Sequence, residues 1–500
     1  MKQDEKEYKE VFKSTFLFAF VRVFQMLVGI VRNKLVAIIL GPSGIGVIEL
    51  YTKTTELVKK GAGLGVSQSA LRDISSAKAK DNIEAYYKIM MVTKRVVTFT
   101  SLFGLLVTVL LSPLLSCWTF GDSSKTIPYS ILSLVVFFTI RTEIQTSILK
   151  GVRAQRHLAI SNMIGAIAGL VVSVPIYYIW GEKGIVPALI INAAVAFLCT
   201  NFYVNKIQFK HIKITWKEIY TSATPMIKVG VLLMAVGILD SIIAVVLSSF
   251  LRLKGGLDVV GFYHTGHTFV VSYIGIIASS LIMDYYPRLS AVYDNNAKIT
   301  DELNKQTQIG LLFILPLASI FVFLTPQLIE ILYTKDFLQV LKFTDFAIYG
   351  AVFNILAECM MMILVAKQTA ILYLILSFVV RAFALPTYML LFSQLGLTGL
   401  GIAYFFDFFI RVVIFSSIIY NKYKITFDNK SVSLSLITLS SIIVMYAIRH
   451  IGLWYIKYSL GIVLILAVTF YTNKKLKQYL GLSLVEMTRK KILKNKGRST

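Results

Sequence analysis

Charged and polar residues recur inside segments that are otherwise apolar, and their types and spacing suit the binding of an oxyanion. One such segment holds Arg22 and, about one turn on, Gln25. The next holds Glu49, Lys53, Glu56 and Lys60, spaced so that all four share one helical face, with Lys59 beside the last. Further along come Arg141 and Glu143, Lys228 and Asp240, His264 and His267, Arg381, and Asp407 with Arg411. Arginine offers an oxyanion a planar fork of donors, and lysine a mobile point charge. Two histidines three residues apart suit proton coupling.

Plainer roles compete with these. Asp407 and Arg411, one turn apart, can neutralise each other. Arg141 and Glu143 point about 200° apart on an ideal helix and do not pair. Lys228 can snorkel toward an interface, and the two histidines can be hydrogen-bonded structural groups. Ladders among Glu49, Lys53 and Glu56 would leave Lys59 and Lys60 as the open charges. Arg22 has no acidic residue at helical spacing in its own segment, which makes it the leading functional cation, with Lys53 second.

The elements that must hold these residues are membrane helices. Apolar runs near 20 residues recur through a chain of 500 residues that is 56% hydrophobic and 15% charged. Fourteen spans are predicted near 11–31, 35–60, 88–117, 126–149, 157–180, 184–204, 222–250, 257–285, 306–332, 343–365, 369–393, 397–420, 431–448 and 458–473. The net charge of +25 would suit nucleic acid. Here the lysines and arginines crowd into alternate connections, about three to one, so the excess reads as an orientation signal with both termini cytoplasmic. No nucleic-acid partner is expected. The polar start "MKQDEKEYKE" and the lack of a small-residue cleavage site predict no cleavable signal peptide. Cys117, Cys199 and Cys359 are scattered without CxxC spacing and imply no disulfide or metal framework. No GxxxxGK loop, metal-spaced His/Cys cluster or nucleophile elbow is present, so neither ATP-driven work nor catalysis is expected.

The first six spans superpose on the next six at one offset of 215 residues. Gly46 maps to Gly261, Ser75 to Ser290, Glu143 to Glu358, Leu149 to Leu364, Gly181 to Gly396 and Gly184 to Gly399. Lys228 falls on Lys13, and "ELYTKTTELVKK" (49–60) on "HTGHTFVVSYIG" (264–275), so the charged face is not kept in the second half. An even number of helices per half gives parallel repeats, expected as two bundles across a cleft that rock in alternating access. The predicted fold is an all-α integral membrane protein: an N-lobe (1–210), a C-lobe (211–425), a two-helix appendage (426–475) and a basic cytoplasmic tail (476–500).

"LGPSGIG" followed by "LRDIS", "ILKGVRAQRHLAISNMIGAIAGL", "GFYHTGHTFV…YYPRLSAVYD" and "PQLIEILYTKDF" together resemble the Wzx-type O-antigen and exopolysaccharide flippases over roughly residues 10–420. That family belongs to the superfamily of the MATE drug exporters and lipid II flippases. The resemblance implies a two-lobed MATE-like fold in the bacterial cytoplasmic membrane. It further implies transport of an undecaprenyl-pyrophosphate-linked oligosaccharide to the outer leaflet, with membrane lipids, a polysaccharide polymerase and a chain-length regulator as partners. No cofactor is implied, and the drive would be membrane potential, H+ or Na+. Spans 1, 2, 7 and 8 line the cleft in that superfamily and carry Arg22, Gln25, Glu49, Lys53, Glu56, Lys59, Lys228, Asp240, His264 and His267; with Arg381 of span 11 these are the candidates for pyrophosphate or glycan contact. The competing functions are a MATE-like drug/cation antiporter, a lipid II-type flippase and a membrane polysaccharide polymerase.

Overall fold

A computed structural model describes residues 2–79, 83–207, 215–275 and 285–480, and these residues are helical with no strand among them. Two long helices are each a pair of spans joined at one glycine. α1 (Lys2–Gly63) leaves helical geometry at Gly41, φ 65° and ψ −168°, just before Pro42. α7 (Trp216–His267) does so at Gly256, φ 83° and ψ 177°. Extended backbone at positive φ is essentially closed to residues with a Cβ, and Pro42 has no N–H to carry the helix across.

The break at Gly41 corrects the predicted junction at 32–34. Arg32, Asn33 and Lys34 look like loop punctuation, yet the helix runs through them. Asn33 Nδ2 donates to Tyr333 Oη at 3.4 Å, and Lys34 donates to the Tyr333 carbonyl. Two of the three side chains that suggested a loop, Asn33 and Lys34, are spent on tertiary contacts. Eleven described helical segments are long and apolar enough to cross a membrane. Three of them, Phe20–Gly63, Gln155–Asn205 and Met234–Val271, each overlap two predicted spans, so thirteen of the fourteen and the described part of the eighth, 257–275, fall on helix.

The remaining helices are α2 (Val66–Ala79), α3 (Ile83–Phe120), α4 (Thr126–Gly151), α5 (Gln155–Trp180) and α6 (Ile185–Asn205) before α7. After it come a π-helical stretch, Thr268–Ile274, then α8 (Asn296–Leu332), α9 (Leu341–Ala366), α10 (Ala370–Leu395), α11 (Leu397–Tyr423), α12 (Asn429–Arg449) and α13 (Trp454–Leu480). The end of the eighth predicted span (276–284) and the tail from 481 lie outside the described residues.

The 215-residue register is visible in the backbone. Gly41 and Gly256 are equivalent, as are Arg153 (φ 57°) and Gln368 (φ 56°), and Gly181 (φ 55°) and Gly396 (φ 59°). The ends of α4 and α9 close alike: the Ala154 N–H donates to the Leu149 carbonyl at 2.8 Å and the Thr369 N–H to the Leu364 carbonyl at 3.1 Å.

Contacts divide the chain into two compact units, Met1–Gly261 with Leu332–Asp336, and Phe262–Ile331 with Phe337–Thr500. In the first, α3 packs on α4, α4 on α6, α5 on α6 and on α1, and the amphipathic α2 lies on α3 and α4. Val66, Ala70, Ile74 and Ala77 are its buried face, and Lys78 Nζ donates to the Val152 carbonyl at 2.6 Å. On α3, Phe103, Leu106, Leu110 and Leu114 form one stripe, the last two 68% and 62% exposed, as expected of a surface facing lipid. In the second unit, α9 packs on α11 and α12 on α13. The appended α12 is anchored by Arg449, buried, whose Nη1 donates to Asp345 Oδ1 at 2.8 Å and to the Val322 carbonyl at 3.1 Å. Ser441 meets Ser319 at 2.9 Å on the same helix.

Candidate functional site

In the first unit the charged face after Gly41 is a ladder. Lys53 Nζ lies 3.4 Å from Glu49 Oε1, and Lys60 Nζ 3.1 Å from Glu56 Oε1, each one turn apart. Lys60 also donates to Ser241 Oγ at 2.8 Å and to the Gly237 carbonyl at 3.3 Å, both on α7. Lys59, about 100° around the helix from Lys60, points instead at α4, where its Nζ is 3.5 Å from Glu143 Oε2. Ser67 Oγ donates to the other Glu143 oxygen at 2.7 Å. The expectation that Lys59 and Lys60 stay open is therefore wrong: each lysine of the face has a carboxylate. A charge within a spanning helix is costly unless paired, and these pairs remove most of that cost.

Arg22 differs. It is exposed and, among the described residues, has no hydrogen-bond or ion-pair partner. Gln25 is half-buried, its Nε2 3.5 Å from the Asn162 carbonyl on α5. Lys228, on the first arm of α7, is likewise exposed without a partner among the described residues; the side chain of its repeat equivalent Lys13 lies outside them. Asp240 is exposed and has an interaction of its own. Arg32 was missed by the sequence reading, which put it in a loop. It is an exposed helical cation ten residues after Arg22, close enough to Tyr177 on α5 to act on its hydroxyl electrostatically. The signal that could have found it was the glycine–proline pair at Gly41–Pro42, which locates the end of the helix.

Two close approaches fix this arrangement. A Cβ on Gly46 would sit 2.2 Å from the Leu257 carbonyl, and one on Gly261 2.1 Å from the Pro42 carbonyl. Because Leu257 is the repeat equivalent of Pro42, this is one symmetric contact. Nearer the other end of the arm, Gly65 (φ +64°) and Gly230 meet with no room for a side chain on either.

The second unit holds the other candidates. His267 stacks edge-on to Tyr404 with ring centroids 6.2 Å apart and lies 5.8 Å from Tyr263. His264 and His267 are half-buried and engaged by neighbours. Arg411 grips Asp407 with two bonds of 2.9 and 2.8 Å, so that pair does neutralise itself. Glu358, the equivalent of Glu143, lies in the field of Arg411 and Arg381, and Arg381 also caps the Ser377 carbonyl at 3.2 Å. Where the first repeat carries the Lys53–Lys59 ladder, the second winds as the π-helix Thr268–Ile274. Such stretches are rare and concentrate at functional positions.

A family model described as "Polysaccharide biosynthesis protein" matches residues 35–342, more than half of the chain. The chain belongs to that family. The match begins just before the Gly41 break and runs through the ladder, α2 and the α7 break. Among solved structures, the chain is similar to "Lipid II flippase MurJ, inward closed conformation", with a TM-score of 0.65 at 16% identity over 92% of this chain and 99% of that one. It is similar also to an inward-facing MATE family multidrug resistance transporter, with a TM-score of 0.64 at 15% identity over 85% and 99%. At these identities the likeness is one of fold. No curated protein matches the sequence. The chain is a multi-pass membrane protein with the fold of these transporters and flippases.

Proposed function

We propose that this protein moves an undecaprenyl-pyrophosphate-linked oligosaccharide repeat unit from the cytoplasmic to the outer leaflet of the bacterial cytoplasmic membrane by alternating access. Family membership and the flippase fold support a lipid-linked substrate. The observation that carries the reading is the partition of charge: the ladder lysines are paired, whereas Arg22 is a guanidinium with no partner among the described residues. A pyrophosphate is the chemistry that completes an open guanidinium fork. Lys228 and Arg32 are supplementary cations, and the self-neutralised ladder offers polar groups to sugar hydroxyls without trapping the anion. An anion leaving an inside-negative cell gains about 2.3 kcal/mol per charge per 100 mV, enough in sign to drive export; H+ or Na+ would add to that drive. A cation antiporter would want open acids, but Glu49 and Glu56 are already held by lysines.

The test is export in cells lacking the chromosomal gene, followed as surface polysaccharide. Arg22→Ala should abolish export with normal membrane levels of protein, while Arg22→Lys separates a simple charge (export retained) from a bidentate fork (export lost). Normal export by Arg22→Ala would remove Arg22 from the site. Normal surface polysaccharide in the deletion strain, with no second flippase present, would remove the function itself.

A further inference from the structure

A second basic site lies away from the ladder. Glu143 on α4 points at Lys59, so Arg141, two residues before it, points to the opposite side of α4. There it lines a cavity of about 180 Å³ between α3, α4 and α6, together with Lys94, Thr98, Gln145, Phe197 and Asn201. Two long bonds hold the guanidinium, Nε to Ser101 Oγ at 3.4 Å and Nη2 to Thr98 Oγ1 at 3.3 Å. Its flat face covers Phe137, 4.7 Å from the ring centre. No carboxylate pairs with Arg141 among the described residues. Gln145 Nε2 donates to Asn201 Oδ1 at 2.8 Å, which fixes the amide floor.

The surroundings are apolar and open. Phe99, Leu134, Leu198 and Phe202, adjacent along the same three helices, are exposed. Arg141 and Gln145 stand 15 and 19 residues from the start of α4 at Thr126, about 22 and 28 Å along it at 1.5 Å per residue. A hydrocarbon layer is about 30 Å thick, so the cavity reaches the level of the headgroups at the far face. That is the face to which the loop charges assign the cytoplasm.

We propose that this cavity binds the phosphate of an anionic lipid headgroup from that leaflet, with the Arg141 guanidinium as its anchor and Lys94 and the Asn201 amide as further donors. The chemistry required is a phosphate oxyanion, and the exposed apolar rim favours one that arrives on acyl chains over one from water. The inference is independent of which substrate is transported.

The full-length chain in nanodiscs of phosphatidylcholine containing phosphatidylglycerol, released and weighed by native mass spectrometry, provides the test. Wild type should retain phosphatidylglycerol in preference to phosphatidylcholine, and Arg141→Gln should bind it about tenfold more weakly, as for one lost charge-assisted hydrogen bond. Lys94→Gln should weaken retention in the same direction and serves if the Arg141 variant does not fold. Equal retention of phosphatidylglycerol by wild type and both variants overturns the site. Stabilisation of wild type by inorganic phosphate in pure phosphatidylcholine, with lipid retention independent of Arg141, overturns the lipid source.

Discussion

At the level of single residues, the charges in the spanning helices divide into those that answer one another and those that do not. The pair Lys59–Glu143 joins the ladder to α4, with Ser67 on the second carboxylate oxygen. Removing one partner leaves the other charge in a poorly hydrated place, whereas removing both does not. Lys59→Met and Glu143→Gln should each lower the thermal midpoint in detergent, and the double variant should recover a coupling of about 1 kcal/mol. Strict additivity would mean that the contact is not energetically real. The pairing was only half legible in the sequence. That Arg141 and Glu143 could not be partners followed from their spacing, and Asp407 with Arg411 from theirs. That Glu143 would meet Lys59 could not be read, because helix-to-helix partners depend on rotation and depth, which spacing within one helix does not contain.

At the level of elements, both long helices turn on a glycine, and the sequence located one turn better than the other. The 251–256 connection contains the Gly256 break, although the helix runs on through 251–255. The first was set at 32–34 because three polar residues outweighed Gly41–Pro42, whereas Asn33 and Lys34 reach out to Tyr333 and Arg32 stays exposed, all without breaking the helix. Gly41→Ala and Gly256→Ala should each cost about 1–3 kcal/mol through backbone strain alone, since neither Cβ would meet a neighbour within 4 Å. Gly29→Ala, in open space within the same helix, should be neutral or stabilising. Equal thermal midpoints for Gly29→Ala and Gly41→Ala would contradict the assigned break. A second element-level device is the start of α12. The Asp428 carboxylate accepts from the Ser431 N–H at 2.7 Å and from Gln308 Nε2 at 3.0 Å. Partial burial pushes this carboxyl up, but the Ser431 and Gln308 hydrogen bonds outweigh it and hold it below the usual carboxylate range. Since the folded value is depressed, the stabilisation is present at neutral pH and is lost as pH falls through that value, below about 4. Asp428→Ala should therefore cost about 1 kcal/mol at pH 7, with the gap to wild type closing in acid. A gap of constant size across that range would rule out the charged cap.

At the level of the whole molecule, the internal repeat was the most legible feature. One offset of 215 residues aligned glycines whose backbone angles coincide in the two halves. The chemistry did not follow the register: Glu49 corresponds to His264, Gln25 to Asp240, and the ladder to the π-helix. The repeat thus supplies a common scaffold, and in the proposed function the transport chemistry resides where its halves differ, chiefly at Arg22, whose repeat equivalent is Gly237. The central claim is that this scaffold carries a pyrophosphate-linked saccharide across a bilayer with Arg22 engaging the anion. It is tested most directly with purified protein in liposomes containing a fluorescent undecaprenyl-pyrophosphate oligosaccharide, by following how much becomes accessible to a glycan-cleaving enzyme added outside. Wild type should move the lipid from the inner to the outer leaflet, faster with an inside-negative potential, and Arg22→Ala should fall to the rate of protein-free vesicles. Movement by wild type no faster than in empty vesicles, or undiminished movement by Arg22→Ala, would contradict the account.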